Sequence, residues 1–285
     1  MVALWSQNEP FAACIVSHLG YRTTPMEGFN MSDLVSRYIP APVRRQLRQE
    51  AFFGCAKCGS PILEYHHIVQ FAEKAHHNPD HMIALCPTCH RSLGKMRRER
   101  CYALKANPKN KREGKIRGEL GTDADTTSFL VGSCTYIDTP IIFSYYEAPI
   151  IRYSIADGQA LLDIYIPKED MWPDILVQEN DLIVNSGDKW DIDFRNNFLR
   201  VQKTHGSTYF QIDLRKEVAE IEGQFSIRGQ QFVFNPTSTN LAGATIKGGT
   251  FVRCGGGIAY GDNKHKLHWL NYRMARPEAT FVPFR

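Results

Sequence analysis

The sequence predicts an α+β protein in two parts: a compact cysteine-bearing module of short strands and helices, then an all-β domain. Three observations carry this. Two Cys-x-x-Cys pairs are confined to residues 55–89, and a block of basic residues follows them directly. From about residue 127 onward, short β-branched or aromatic segments are separated by Gly, Asn, Asp and Pro. The 285 residues suffice for two domains. With 43% apolar and 22% charged residues the chain can bury a core, which excludes wholesale disorder, a collagen repeat and a coiled-coil rod. No apolar run approaches the roughly 18 residues of a membrane span. The first twenty residues lack a basic region followed by an uninterrupted apolar stretch. A soluble, cytoplasmic protein with no membrane partner is expected.

Taken in order, residues 1–38 form an N-terminal extension with no assignable signal, and Met31 is an alternative start. Residues 41–53, APVRRQLRQEAFF, read as a helix with Pro42 near its start and Gly54 just after its end. Its Arg44, Arg45 and Arg48 suit either phosphate contact or a solvated face. The pairs Cys55/Cys58 and Cys86/Cys89 each place two sulfurs on one tight turn, so together they predict a tetrahedral, structural Zn²⁺ site. Nested disulfides are the alternative, disfavoured without a secretion signal. Cys14, Cys101, Cys134 and Cys254 read as small buried residues.

Between the pairs lie 27 residues, more than the roughly 15–20 of a simple zinc ribbon. That interval holds a β-prone run with adjacent His66 and His67, a polar loop FAEKAHHNPD, and a second run His81–Cys86. Neighbouring residues of a strand face opposite ways, so His66 and His67 share one site only if the strand ends or bends there. Pro87 suits the first turn of a helix. A helix from near Cys89 is expected to run through Arg97, Arg98 and Arg100 toward Leu104, and Pro108, Gly114, Gly118 and Gly121 then suggest a basic linker over 106–126.

Net charge is only +4, but its distribution is uneven. Residues 91–119 carry 11 Lys/Arg against 3 Asp/Glu, whereas residues 120–285 carry 16 against 20. Such segregation is a footprint of contact with a polyanion. Arg91, Lys95, Arg97, Arg98 and Arg100 are the expected contacts to backbone phosphates. Residues 127–285 predict an all-β accessory domain, a sandwich or barrel first and a β-solenoid second. GGTFVRCGGG follows no strand-to-helix pattern and is not a phosphate loop. Asp188, Asp191 and Asp193 lack the Ca²⁺-loop spacing and read as a solvated turn.

On the residues IPAPVRRQLRQEAFFGCAKCG, EYHHI, DHMIALC and CPTCH, the segment 39–100 resembles the HNH endonucleases, the ββα-metal nucleases in zinc-stapled form. The resemblance implies an HNH nuclease domain over 39–105 that hydrolyses DNA and leaves a 5′-phosphate and a 3′-hydroxyl. By position, His67 matches the family's general base, and His66 and His90 match its ligands for a catalytic divalent ion. His81 stands at the middle position that is often Asn, and Asn78 is a second candidate for that role. Where many members carry another His one turn after the last, this chain has Gly94, which leaves two ligands and suits Mg²⁺ or Mn²⁺. Defence against foreign DNA is the expected context. The β domain would take a regulatory ligand or protein partner, form a homo-oligomer, or read sequence as in a restriction enzyme. The non-enzyme alternative is a zinc-stapled nucleic-acid-binding protein.

Overall fold

The computed structural model describes residues 35–93, 96–121 and 127–261. Met31, Lys95 and nearly all of the N-terminal extension lie outside the described residues. The chain divides into two compact units, Met1–Ser36 and Arg37–Arg285, and the elements that follow belong to the second.

Helix α1 (Ala41–Glu50) starts with Pro42 in its first turn, where the missing N–H costs nothing. It stops at Glu50 rather than Phe53. Phe52 and Phe53 adopt positive φ, 52° and 59°, and this turn swings Phe53 into the core of the β region. Strands β1 (Glu64–His67) and β2 (Met82–Leu85) pair antiparallel, Glu64 opposite Leu85 and His67 opposite Met82. A single 3₁₀ turn, Pro79–His81, leads into β2 and is capped by the Asn78 side chain. Helix α2 (Pro87–Arg91) follows, then α3 (Arg98–Ala106) and α4 (Lys109–Glu113). One continuous helix was the sequence expectation here. Instead there are two, with Gly94 between them, a residue that disfavours helix by about 1 kcal/mol relative to Ala.

Residues 106–126, expected as a basic linker, carry α4 and strand β3 (Lys115–Glu119). β3 is the edge of a seven-stranded sheet and pairs antiparallel with Asp181–Asn185. Ile116 and Leu120 are fully buried while Lys115, Arg117 and Glu119 face outward. Charges on an edge strand block further pairing, so the same composition serves a strand as well as a linker. Asn110 of α4 reaches the first cysteine turn, donating through Nδ2 to the carbonyls of Gly59 (3.1 Å) and Phe52 (3.4 Å). A Cβ at Gly54 would lie 2.1 Å from that Nδ2, so only glycine fits there.

The C-terminal part is all-β. One antiparallel meander runs from Ile141–Tyr145 to Asp181–Asn185 and a second from Asp191–Arg195 to Ala244–Ile246. Three parallel pairings tie in the remaining strands: Ser128–Val131 with Ala219–Ile227, Gly249–Val252 with Cys134–Ile137, and Ile258–Tyr260 with Ile141–Tyr145. Residues of both sheets share one apolar cluster, with Phe143 of the first packed 5.3 Å and 5.2 Å from Phe232 and Phe234 of the second. These are hairpin-connected layers. The parallel coils of a β-solenoid, the second expectation, are not the architecture of the described residues. Among the described residues no helix is long and apolar enough to cross a membrane.

The cysteine module is docked on the β region through α1. Arg48 holds Asp191 with Nε (3.0 Å) and Nη2 (2.6 Å), and its Nη1 donates to the Tyr65 hydroxyl (3.2 Å). Arg45 lies over the Trp190 ring at 4.4 Å, and Gln49 donates to the Trp190 carbonyl (2.6 Å). Two of the three arginines considered for phosphates are therefore engaged internally. Asp191 belongs to no solvated turn: it is 5% exposed. Asp191→Ala would leave the largely buried Arg48 charge uncompensated. Discounting for its residual exposure, the loss should be about 2–3 kcal/mol, read as a lower urea midpoint; an unchanged midpoint would exclude the docking role.

Candidate metal and catalytic centre

The two cysteine turns meet at one point. The Sγ atoms of Cys55, Cys58, Cys86 and Cys89 all lie within 4.8 Å of one another, three buried and Cys58 exposed. Cys58 and Cys86 are 3.6 Å apart and the thiols are unpaired. Four sulfurs about 2.3 Å from one tetrahedral ion stand roughly 3.8 Å from each other, so the set fits Zn²⁺. Local hydrogen bonds build the turns: Gly59 N–H to the Cys55 carbonyl (2.8 Å), Cys55 N–H to Ser60 (2.8 Å), and Cys89 N–H to the Cys86 sulfur (3.3 Å). Burial alone would push the Cys55 thiol up, but backbone N–H groups of Cys58, Cys86 and Lys57 outweigh it and hold it below the ordinary value. Burial and the neighbouring sulfurs push Cys58 and Cys89 up. Four thiols this close cannot all ionise without a cation among them.

Beside this cluster lies a histidine pair. His66 on β1 and His90 on α2 point ring nitrogens at each other, Nδ1 to Nε2, at 3.0 Å. The other nitrogen of His90, Nδ1, stands 2.7 Å from a Glu64 carboxylate oxygen. A carboxylate only accepts, so His90 Nδ1 carries the proton and Nε2 presents a lone pair. Glu64 thus fixes the tautomer, as carboxylates behind metal-bound histidines do. The 3.0 Å separation is that of one ring N–H donating to the other nitrogen, and it also equals the roughly 3.0 Å between two ligands at right angles about 2.1 Å from an octahedral ion. Burial lowers the His66 pKa, and facing His90 and His67 lowers it further, which favours the neutral ring. Sequence reasoning missed Glu64. Strand alternation held the signal, since Glu64 and His66 are two apart on one face.

His67 ends β1 and belongs to a second group of rings. Its Nε2 is 3.0 Å from the His76 carbonyl oxygen. That oxygen can only accept, so Nε2 holds the proton and Nδ1 is the basic nitrogen of the neutral ring. Burial lowers its pKa; the rings of His76 and His77 act the same way, against the opposing pull of the His76 carbonyl. His76 itself braces the loop, with Nε2 on the Val69 carbonyl (3.0 Å) and Nδ1 accepting from Asn78 N–H (3.1 Å). His81 does not bond His67. Its Nδ1 meets the Tyr102 hydroxyl (2.8 Å), and its ring stands 6.0 Å from that of His76. Asn78 caps the turn before β2, accepting from Asp80 N–H (3.0 Å).

Of the expected phosphate contacts, Arg91, Arg97 and Arg100 are exposed, and Arg98 is exposed but ion-paired with Glu73. Lys95 lies outside the described residues. The four-cysteine cluster supports a zinc site. No curated protein and no solved structure matches this chain. Residues 55–95, the segment that holds both cysteine turns, the His66–His90 pair and His67, match the family model HNH endonuclease.

Proposed function

We propose that residues 55–95 form the catalytic centre of a metal-dependent endonuclease acting on DNA. The observation that carries this reading is the joint geometry of two histidine groups. The ring nitrogens of His66 and His90 stand 3.0 Å apart, backed by Glu64, while His67 is held in the tautomer that leaves Nδ1 basic. In this reading His67 Nδ1 takes a proton from the attacking water, an imidazole being suited to that task near pH 7. His66 and His90 hold Mg²⁺ or Mn²⁺. When bound, such an ion stabilises the charge that develops on the phosphate and the leaving oxygen. The products carry a 5′-phosphate and a 3′-hydroxyl. His76, Asn78 and His81 keep the loop and the His67 ring in place.

The Zn²⁺ cluster is structural in this reading, and the β region, docked directly on α1, is the sensing or recognition part of a cytoplasmic defence protein. Glu64→Gln removes the carboxylate behind His90, so half-maximal cleavage should require about 10- to 100-fold more Mn²⁺, with zinc content unchanged. An unaltered Mn²⁺ requirement would remove Glu64 from the centre. The function itself is tested by incubating the full chain with supercoiled plasmid, single-stranded DNA and RNA, with Mg²⁺, with Mn²⁺ and without either. Metal-dependent nicking or linearisation is expected. Binding without cleavage under both ions would overturn the proposal in favour of a zinc-stapled binding protein.

A further inference from the structure

The basic block owes its charge to many side chains, but the structure neutralises a good part of it. Arg98 is paired with Glu73, Lys105 with Glu50 and Lys109 with Glu113. On α1, Arg45 and Arg48 are paired with Asp191. Among the exposed cations for which no ion pair is seen in the described residues, Lys57, Arg97 and Arg100 stand out. They converge. Lys57 sits in the first cysteine turn between Cys55 and Cys58, while Arg97 is the residue just before α3 and Arg100 lies three residues on, on the same side. With Ser92, Leu93 and Met96 they line one groove of about 460 Å³. The lining joins the apolar side chains of Leu93 and Met96 to three cations, a combination suited to a sugar-phosphate backbone. On α3, the Arg98 and Tyr102 side instead serves the histidine loop, through Glu73 and His81.

We propose that this groove binds the phosphodiester backbone of the nucleic acid away from the bond being cut, with Lys57, Arg97 and Arg100 as its phosphate contacts. The proposal rests on the nuclease reading above and adds a substrate-holding surface that includes Lys57, which the charge block had left out. A rival use of three cations here is to offset the −2 charge of a zinc–tetrathiolate. The two uses differ in what their removal does.

The test is fluorescence anisotropy of a labelled DNA duplex with the zinc-loaded full chain, without Mg²⁺ or Mn²⁺, over a salt series. Binding should fall steeply with salt. In Lys57→Gln/Arg97→Gln/Arg100→Gln, affinity at low salt should drop at least about 10-fold, and the log–log salt slope should shrink by about 2.7, at roughly 0.9 per phosphate contact. Zinc content should be unchanged. Each single substitution should reduce the slope by about 0.9, which keeps the test open if the triple variant folds poorly. Unchanged affinity and slope overturn the proposal, as does zinc loss in the triple variant with unaltered slopes in the singles. A wild-type chain that binds the duplex through these residues yet never cuts it would overturn the nuclease reading and leave the groove standing.

Discussion

Replacing His67 with alanine is expected to slow phosphodiester cleavage by about 10²- to 10⁴-fold, the usual contribution of a positioned general base. His67 Nε2 is committed to the His76 carbonyl at 3.0 Å, so the one nitrogen left to accept a proton is Nδ1. Its ring rests against Phe71 (5.3 Å) and His76 (5.2 Å) of the loop that follows β1. The substitution should therefore leave zinc content and Mn²⁺ affinity intact, separating loss of the base from loss of the site. Single-turnover cleavage with zinc analysis of the same preparation measures both. A variant that cuts at the wild-type rate would remove His67 from the chemistry, and one that loses zinc would make it a structural residue.

The second large effect concerns zinc. The module's own core is small: Cys55, Ala56, Ile68, Ile83, Leu85, Cys86, Cys89, Leu93 and Cys101 are its buried members, and three of them are zinc ligands. β1 and β2 are four residues each and α2 is five. A two-stranded sheet this short is at best marginal in water, and a structural zinc contributes about 10–16 kcal/mol to small sites of this kind. Cys86→Ala removes a ligand and also the side chain that caps α2. Zinc binding and nuclease activity should both disappear, and backbone amides over 55–93 should exchange rapidly with deuterium. Those of the β region should stay protected, because its apolar cluster draws mostly on other residues. Normal protection of 55–93 in a zinc-free protein would contradict the stapling role.

What the sequence made legible was local. The cysteine turns, the proline-led starts of α1 and α2, and the order of the histidines all follow from residues within a few positions of one another. The features it hid depend on distant partners. Arg48 looks solvent-facing on a helix until Asp191, 143 positions away, is placed against it. β3 looks like linker because its charges dominate its composition, and its status as a strand is decided by pairing with Asp181–Asn185. Glu64 lay within reach of sequence reasoning by strand alternation, yet a lone Glu at a strand start carries no signal until His90 on another element is seen beside it. Lys57 was overlooked for a similar reason: the groove forms only when the first cysteine turn and α3 come together.

In the proposed mechanism His66 and His90 hold the ion on which cleavage depends. That role is tested most directly by titrating the zinc-loaded chain with Mn²⁺, following bound Mn²⁺ by electron paramagnetic resonance and plasmid cleavage on the same samples. One Mn²⁺ per chain should bind in parallel with the rise of cleavage, and both should vanish in His66→Ala/His90→Ala while zinc stays in place. Cleavage that persists in the double variant, or that saturates with no Mn²⁺ lost on removing these histidines, would contradict the account.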